Sequence, residues 1–167
     1  MSFIKLRTYW LNLHLVLALS VGFLFVLQGI TGSINLFRDE IDQFLHPELI
    51  VTPEPHPPLS LDQILSIVRS AEPERNGVWT LELPRSPQQA LVAWFEKPRE
   101  TVGEFYAPYM LYINPYNGEL IAKRFWGQTE MTWLYDLHSH WTLGKQGREY
   151  LAYVAVCMVC SALSGLV

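Results

Sequence analysis

The run from Tyr9 to Phe37, YWLNLHLVLALSVGFLFVLQGITGSINLF, constrains this chain more than any other stretch. A helix from Trp10 to Phe37 would reach roughly 40 Å, more than the ~30 Å hydrocarbon core of a bilayer. It reads as a transmembrane helix over residues 9–37, with lipid as its first partner. Turned by helical steps from His14, one face collects Ala18, Gly22, Gln28, Gly29, Gly32 and Asn35. The opposite face collects Val16, Leu19, Phe23, Leu27, Ile30, Ile34 and Phe37. Lipid solvates only the second set cheaply, and the first lets a helix or a flat ligand come close. An ionisable side chain in hydrocarbon is costly, which makes His14 a functional-site candidate. The other reading is a hydrogen-bonded packing histidine near the headgroups.

The apolar run is too long for the core of a cleaved signal peptide, and no small-x-small site follows it. Lys5 and Arg7 precede it, and Asp39, Glu40 and Asp42 follow. The positive-inside rule therefore places the N-terminus in the cytoplasm and residues 38–146 outside. Charged residues are 17% of the chain, against about 25% in soluble domains. With a net charge of −4 and no basic cluster, nucleic acid is not an expected partner.

Residues 38–59 read as an acidic interfacial stretch and a linker whose Pro53, Pro55, Pro57 and Pro58 favour extended backbone. His46 and His56 are expected to be solvated there. Ser60 to Gln63 fits a capping box, and Leu61, Ile64, Leu65 and Val68 carry a helix to about Ala71. Strands are expected over 77–83, 89–96, 104–114 and 119–125, with a hairpin turn at Asn114–Gly118. Residues 60–125 thus form a small α+β module without a metal cluster, a phosphate loop or a nucleophile–base pair. No catalytic residue is assigned, and the module is expected to bind or position something.

Residues 126–146 are crowded with Trp126, Trp133, Tyr135 and Trp141, side chains that favour the membrane–water interface. His138 and His140 lie here. On a helix only one faces a given pocket, and His138 is expected inward with His140 at the surface. On a strand both could chelate a metal, without an evident third ligand. From Leu151 onward no charge appears, so residues 147–167 read as a second transmembrane helix, whose seventeen uncharged residues cover roughly 25 Å, barely a span. Cys157, Cys160, Ser161 and Ser164 form a small-residue face better suited to helix packing than to redox chemistry.

His14 and His138 would lie near opposite borders of the bilayer and cannot share one iron. If both bind haem there must be two haems, with Lys5, Arg7, Lys145 and Arg148 placed to meet propionates or simply to anchor the helices. The order of parts resembles the PepSY-associated transmembrane family, iron-regulated inner-membrane proteins that include ferric-siderophore reductases. The matching pieces are Leu13-His14, GITGSINLFRDEID at 29–42, YINPYNGELI at 112–121 and WLYDLHSHWTLGKQGREYL at 133–151.

The resemblance implies an α-helical membrane protein with a small α+β, PepSY-like extracytoplasmic domain inserted between two transmembrane helices of the bacterial inner membrane. It also implies haem b with His14 and His138 as axial ligands, and gives no support to His46, His56 or His140. The chain is expected to be the N-terminal part of such a protein. Each haem would then need a further ligand from additional transmembrane helices or another subunit. Three functions compete. One is electron transfer from a cytoplasmic donor to a ferric siderophore outside. Another is a haem-free anchored binding or regulatory module, and the third is a purely structural subunit.

Overall fold

A computed structural model describes the backbone of residues 3–166 and side chains from residue 7 onward. Val167, where the second apolar helix was expected to end, and the side chain of Lys5 lie outside the described residues. The chain divides into a helical unit, up to Leu36 and from Leu134, and a sheet unit, Phe37–Trp133.

In the helical unit, α1 spans Phe3–Asn35 without a proline or a charge after Arg7. Its hydroxyls are quieted within the helix: Ser20 donates to the Val16 carbonyl (2.6 Å), Thr31 to Leu27 (2.7 Å) and Ser33 to Gly29 (2.7 Å). Helix α5 (Gly144–Ser164) packs along α1. The large apolar side chains point outward, with Leu19 77%, Phe23 76%, Tyr153 70% and Leu163 61% exposed, while Thr31, Ser161 and Ser164 are buried. Water would demand the reverse arrangement, and lipid tolerates this one. Arg7–Asn35 is the one stretch among the described residues that is long and apolar enough to cross a membrane. The second span expected over 147–167 does not meet that measure, because Lys145, Arg148 and Glu149 occupy the first turns of α5 and shorten its uncharged part.

The turn into α5 follows α4 (Glu130–His140). It holds Trp141 and Thr142 at φ 52° and 58°, left-handed values that cost a side-chain-bearing residue energy. Gly144 is left-handed as well, at φ 59°. Gly147 lies so close to the His140 carbonyl that a Cβ there would collide with it. These two glycines therefore shape the connection between α4 and α5.

In the sheet unit, α2 (Arg38–Leu45) leads through an extended, proline-rich stretch to α3 (Leu61–Ala71). Ser60 and Gln63 close the reciprocal capping box at the start of α3. Strands β1 (Thr80–Glu82), β2 (Leu91–Phe95), β3 (Tyr109–Ile113) and β4 (Leu120–Phe125) form an antiparallel meander in sequence order. The strands are shorter than their apolar patterns suggested. β3 starts at Tyr109 rather than at 104, because Gly103 turns at φ 105° and Pro108 precedes the pairing. At the β3–β4 turn, Gly118 takes φ 77° and Tyr116 N–H donates to the Asn114 side chain at 2.9 Å. Ile64 and Val68 of α3 pack on Trp79, Leu91, Ala93, Leu111 and Ile113, burying one face of the sheet.

Candidate functional site

Each of the two imidazoles singled out in the sequence finds a partner within the helical unit. His14 Nδ1 lies 2.9 Å from the backbone carbonyl of Ser161, 3.3 Å from Ser164 Oγ and 3.5 Å from Ser161 Oγ. A carbonyl can only accept, so Nδ1 carries the proton. His138 Nδ1 lies 3.0 Å from Thr31 Oγ1. The single hydroxyl proton of Thr31 is spent on the Leu27 carbonyl at 2.7 Å, so Thr31 accepts and His138 Nδ1 also carries its proton. Both rings therefore have Nε2, with its lone pair, outside these hydrogen bonds. That is the nitrogen a metal centre takes when the other is held by an outer partner.

Glycines make room for both rings. A Cβ on Gly32 would stand 2.9 Å from His138 Cε1, and one on Gly165 would stand 3.1 Å from His14 Cε1. Gly32 is five helical turns beyond His14 and so shares its azimuth on α1. Thr31, which holds His138, is 17 residues past His14, a rise of roughly 25 Å. The two imidazoles cannot serve one iron.

Small and polar groups continue along α1 beyond these contacts. Gly22 and Gly29 have nothing within 4 Å of where a Cβ would sit. Gln28 Nε2 and both polar atoms of the Asn35 amide are buried without a hydrogen-bond partner. An unsatisfied buried polar group costs about 1–3 kcal/mol, so these are atoms that a polar guest would relieve. If haem binds, His14 beside the Gly165 notch and His138 beside the Gly32 notch are the residues that would hold it.

Helix α4 settles the geometry of the histidine pair, placing His138 and His140 two residues apart on one helix and ruling out the shared face of a strand. His138 faces Thr31 and Gly32, as expected, but His140 is not at the surface. It is 6% exposed and its Nε2 lies 3.2 Å from Asp136 Oδ1, one turn earlier. Its carbonyl is pressed against Gly147 at the start of α5, and Asp136, legible in the sequence at i, i+4 spacing, is the partner its ring meets there. No group of three metal-ligating side chains occurs among the described residues. His46 pairs with Glu130 (3.2 Å) and Glu48 (3.4 Å), and His56 with Glu54 (2.9 Å), all on the surface of the sheet unit. Arg7, Lys145 and Arg148 are exposed. Cys160 is exposed and Cys157 half-buried, so only Ser161 and Ser164 of the small-residue face turn fully inward.

Thr31, Ser161 and Ser164 as imidazole partners, and Gly165 as a notch, were not foreseen. Thr31 stands at the border of the polar face drawn on α1, about 40° outside Asn35, so spacing alone did not single it out. Ser161 acts through its main chain, for which no residue type is diagnostic.

In the sheet unit, the face away from α3 holds a cavity of about 70 Å³ bordered by Arg38, Asp42, Trp94, Met110, Tyr112 and Trp126. Burial, with the Asp42 carboxylate nearby, pushes the Tyr112 hydroxyl up to about 12. Arg124 grips Asp42 through two contacts of 3.1 Å and lies over the Tyr112 ring at 5.2 Å. The charges there are paired with one another, and the space suits a water or two.

Comparison with known families gives a match between residues 11–167 and the model described as PepSY-associated TM region. No curated protein matches the chain.

Proposed function

The chain belongs to the PepSY-associated TM family, a membrane-associated, PepSY-linked group, and from that premise we propose that it is a b-type haem protein of the bacterial inner membrane. In this reading it moves electrons from a cytoplasmic donor outward, with ferric siderophores or similar chelates as acceptors. Its N-terminus is cytoplasmic, and residues 38–146 are periplasmic. The observation that carries the reading is the pair of imidazoles roughly 25 Å apart, each with Nδ1–H engaged and Nε2 left open. His14 and His138 would hold one haem each, and each haem would take a further ligand from outside this chain.

A haem at each position would supply a one-electron Fe(III)/Fe(II) couple. The chain's own residues do the rest. Ser161 and Thr31 orient the imidazoles, Gly165 and Gly32 let the rings lie close to the backbone, and the outward apolar side chains keep water away. The inside-out pattern of α5 supports its crossing the bilayer beside α1, short as its uncharged part is. Reduction would release iron, because Fe(II) binds hard oxygen chelators more weakly than Fe(III) does.

The test is a dithionite-reduced minus oxidised spectrum of detergent-extracted protein, made together with its further helices or subunit. Expected are b-type bands, with about half the pigment lost in His14→Ala and about half in His138→Ala. Colourless wild-type protein under those conditions overturns the reading.

One observation favours a haem-free binding module instead. An open, mainly apolar hollow of about 420 Å³ lies on the sheet unit among Pro58, Leu59, Leu61, Pro84, Pro115 and Tyr116. Loss of partner binding on Leu61→Asp, in a colourless protein, would support that alternative.

A further inference from the structure

The two imidazoles are held alike in kind but not in strength. Around His14 Nδ1 stand three oxygens: the Ser161 carbonyl at 2.9 Å, Ser164 Oγ at 3.3 Å and Ser161 Oγ at 3.5 Å. Around His138 Nδ1 stands one, the Thr31 hydroxyl at 3.0 Å. A peptide carbonyl is a stronger acceptor than an alcohol oxygen; the Ser161 carbonyl also accepts from Gly165 N–H (3.0 Å) and Ser164 Oγ (2.9 Å), so the contrast lies in three oxygens against one. A stronger acceptor at Nδ1–H pulls the ring toward imidazolate and makes Nε2 the better electron donor.

We propose that Thr31 and the Ser161–Ser164 pair are positioning residues that grade the two sites, making His14 the stronger donor and the redox centre at His14 the lower in potential. Greater donation to an iron stabilises its ferric form, and outer hydrogen bonds are among the levers that set haem potentials. The order then runs downhill from the His14 end to the His138 end. The glycines belong to the same device. With no Cβ on Gly165 or Gly32, each ring sits deep enough to reach its oxygen. The grading of the hydrogen bonds rests on the number and kind of oxygens at each Nδ1, whereas the order of potentials rests also on the haem reading above.

Two measurements keep those claims apart. In protein prepared from haem-depleted cells, imidazole ¹H–¹⁵N spectra should show Nδ1–H on both histidines, with the His14 proton further downfield. Thr31→Val should move the His138 signals alone, and Thr31→Ser should leave them in place. An Nε2–H form at either ring, or a His138 proton downfield of the His14 proton, overturns the grading. In haem-loaded protein, a potentiometric titration should resolve two components, the lower one lost in His14→Ala. Thr31→Val should raise only the upper component and Ser164→Ala only the lower. Equal potentials, the reverse assignment, or an upper component unmoved by Thr31→Val overturns the order. If the wild-type protein takes up no pigment, the haem reading fails and the imidazole spectra still decide the grading.

Discussion

The helical unit and the sheet unit solve opposite packing problems with the same alphabet. In the sheet unit, α3 and one face of the meander bury a conventional apolar core, in which Val68, Ala93, Leu111 and Ile113 are fully enclosed. Its charges are matched: Glu72 accepts from Lys123 (2.7 Å), Tyr109 (2.8 Å) and Arg75 (3.1 Å), and Arg75 also reaches Glu100. In the helical unit the polarity is turned inside out, and polar groups are left incomplete. Gln28 Nε2, the Asn35 amide, Ser139 Oγ and Trp141 Nε1 are buried without partners. In the sheet unit the Trp79 indole is the one such group among the described residues. A region that satisfies its own polar atoms has little left to offer a ligand. One that keeps two imidazole nitrogens and several amide atoms open has more to offer. That difference underlies the proposed division of labour, with the chemistry in the helices and a positioning role for the sheet unit.

The contrast can be broken from either side. The largest effect is expected from Leu111→Ala in the sheet core, a loss of about 2–5 kcal/mol. Thermal unfolding followed by tryptophan fluorescence should show it, while the His14 and His138 imidazole signals stay in place. Movement of those signals would mean that the two units are not separable in this sense. Gly147→Ala strikes the helical side, where the added methyl meets the His140 carbonyl; about 1–3 kcal/mol is expected, read as a lower unfolding temperature in detergent. Since the obstacle is backbone, an unchanged unfolding temperature would contradict the close approach of α5 to the end of α4.

Glu72→Gln tests the matched charges and should cost about 2 kcal/mol near neutral pH. Burial pushes the Glu72 carboxyl up, but the hydrogen bonds from Lys123, Tyr109 and Arg75 outweigh it and hold the group below its ordinary value of 4.5. A carboxylate depressed on folding stabilises above the unfolded value, and that contribution fades as pH falls through the folded one. The wild-type sheet unit should therefore lose stability as pH drops below about 4.5, and the variant should lose less. Parallel acid-unfolding curves for the two proteins would refute this. Ser60→Ala should cost the least, about 1 kcal/mol, by opening the capping box at α3, with Ser60→Asp restoring most of it in urea titrations.

Much of this arrangement was legible in residue order. The length and apolarity of Arg7–Asn35 dictate a helix that water cannot host, and that conclusion needs no neighbour. The Ser60–Gln63 box, the apolar spacing of α3 and the Asn114–Gly118 turn are local, and short-range rules suffice for them. His14 stood out for a similar reason: an ionisable ring in hydrocarbon is anomalous wherever the chain goes next. Strand ends were less accessible, because β3 starts where pairing begins and not where its apolar pattern does.

Contact across distant sequence decided the rest. Whether His138 or His140 meets α1 depends on the rotation of α4, which the strained turn at Trp141–Thr142 and the close approach at Gly147 set together. His140 is buried beside Asp136 as a result, against the expectation of a surface ring. The proton on each Nδ1 is assigned by partners 107 and 147 residues away along the chain, one of them a main-chain carbonyl. A hydrogen bond to backbone carries no residue code, so a one-dimensional pattern cannot announce it. Composition and period were enough to choose solvent, helix and candidate ligand; orientation, tautomer and the difference between the two histidines arose only when the helices came together.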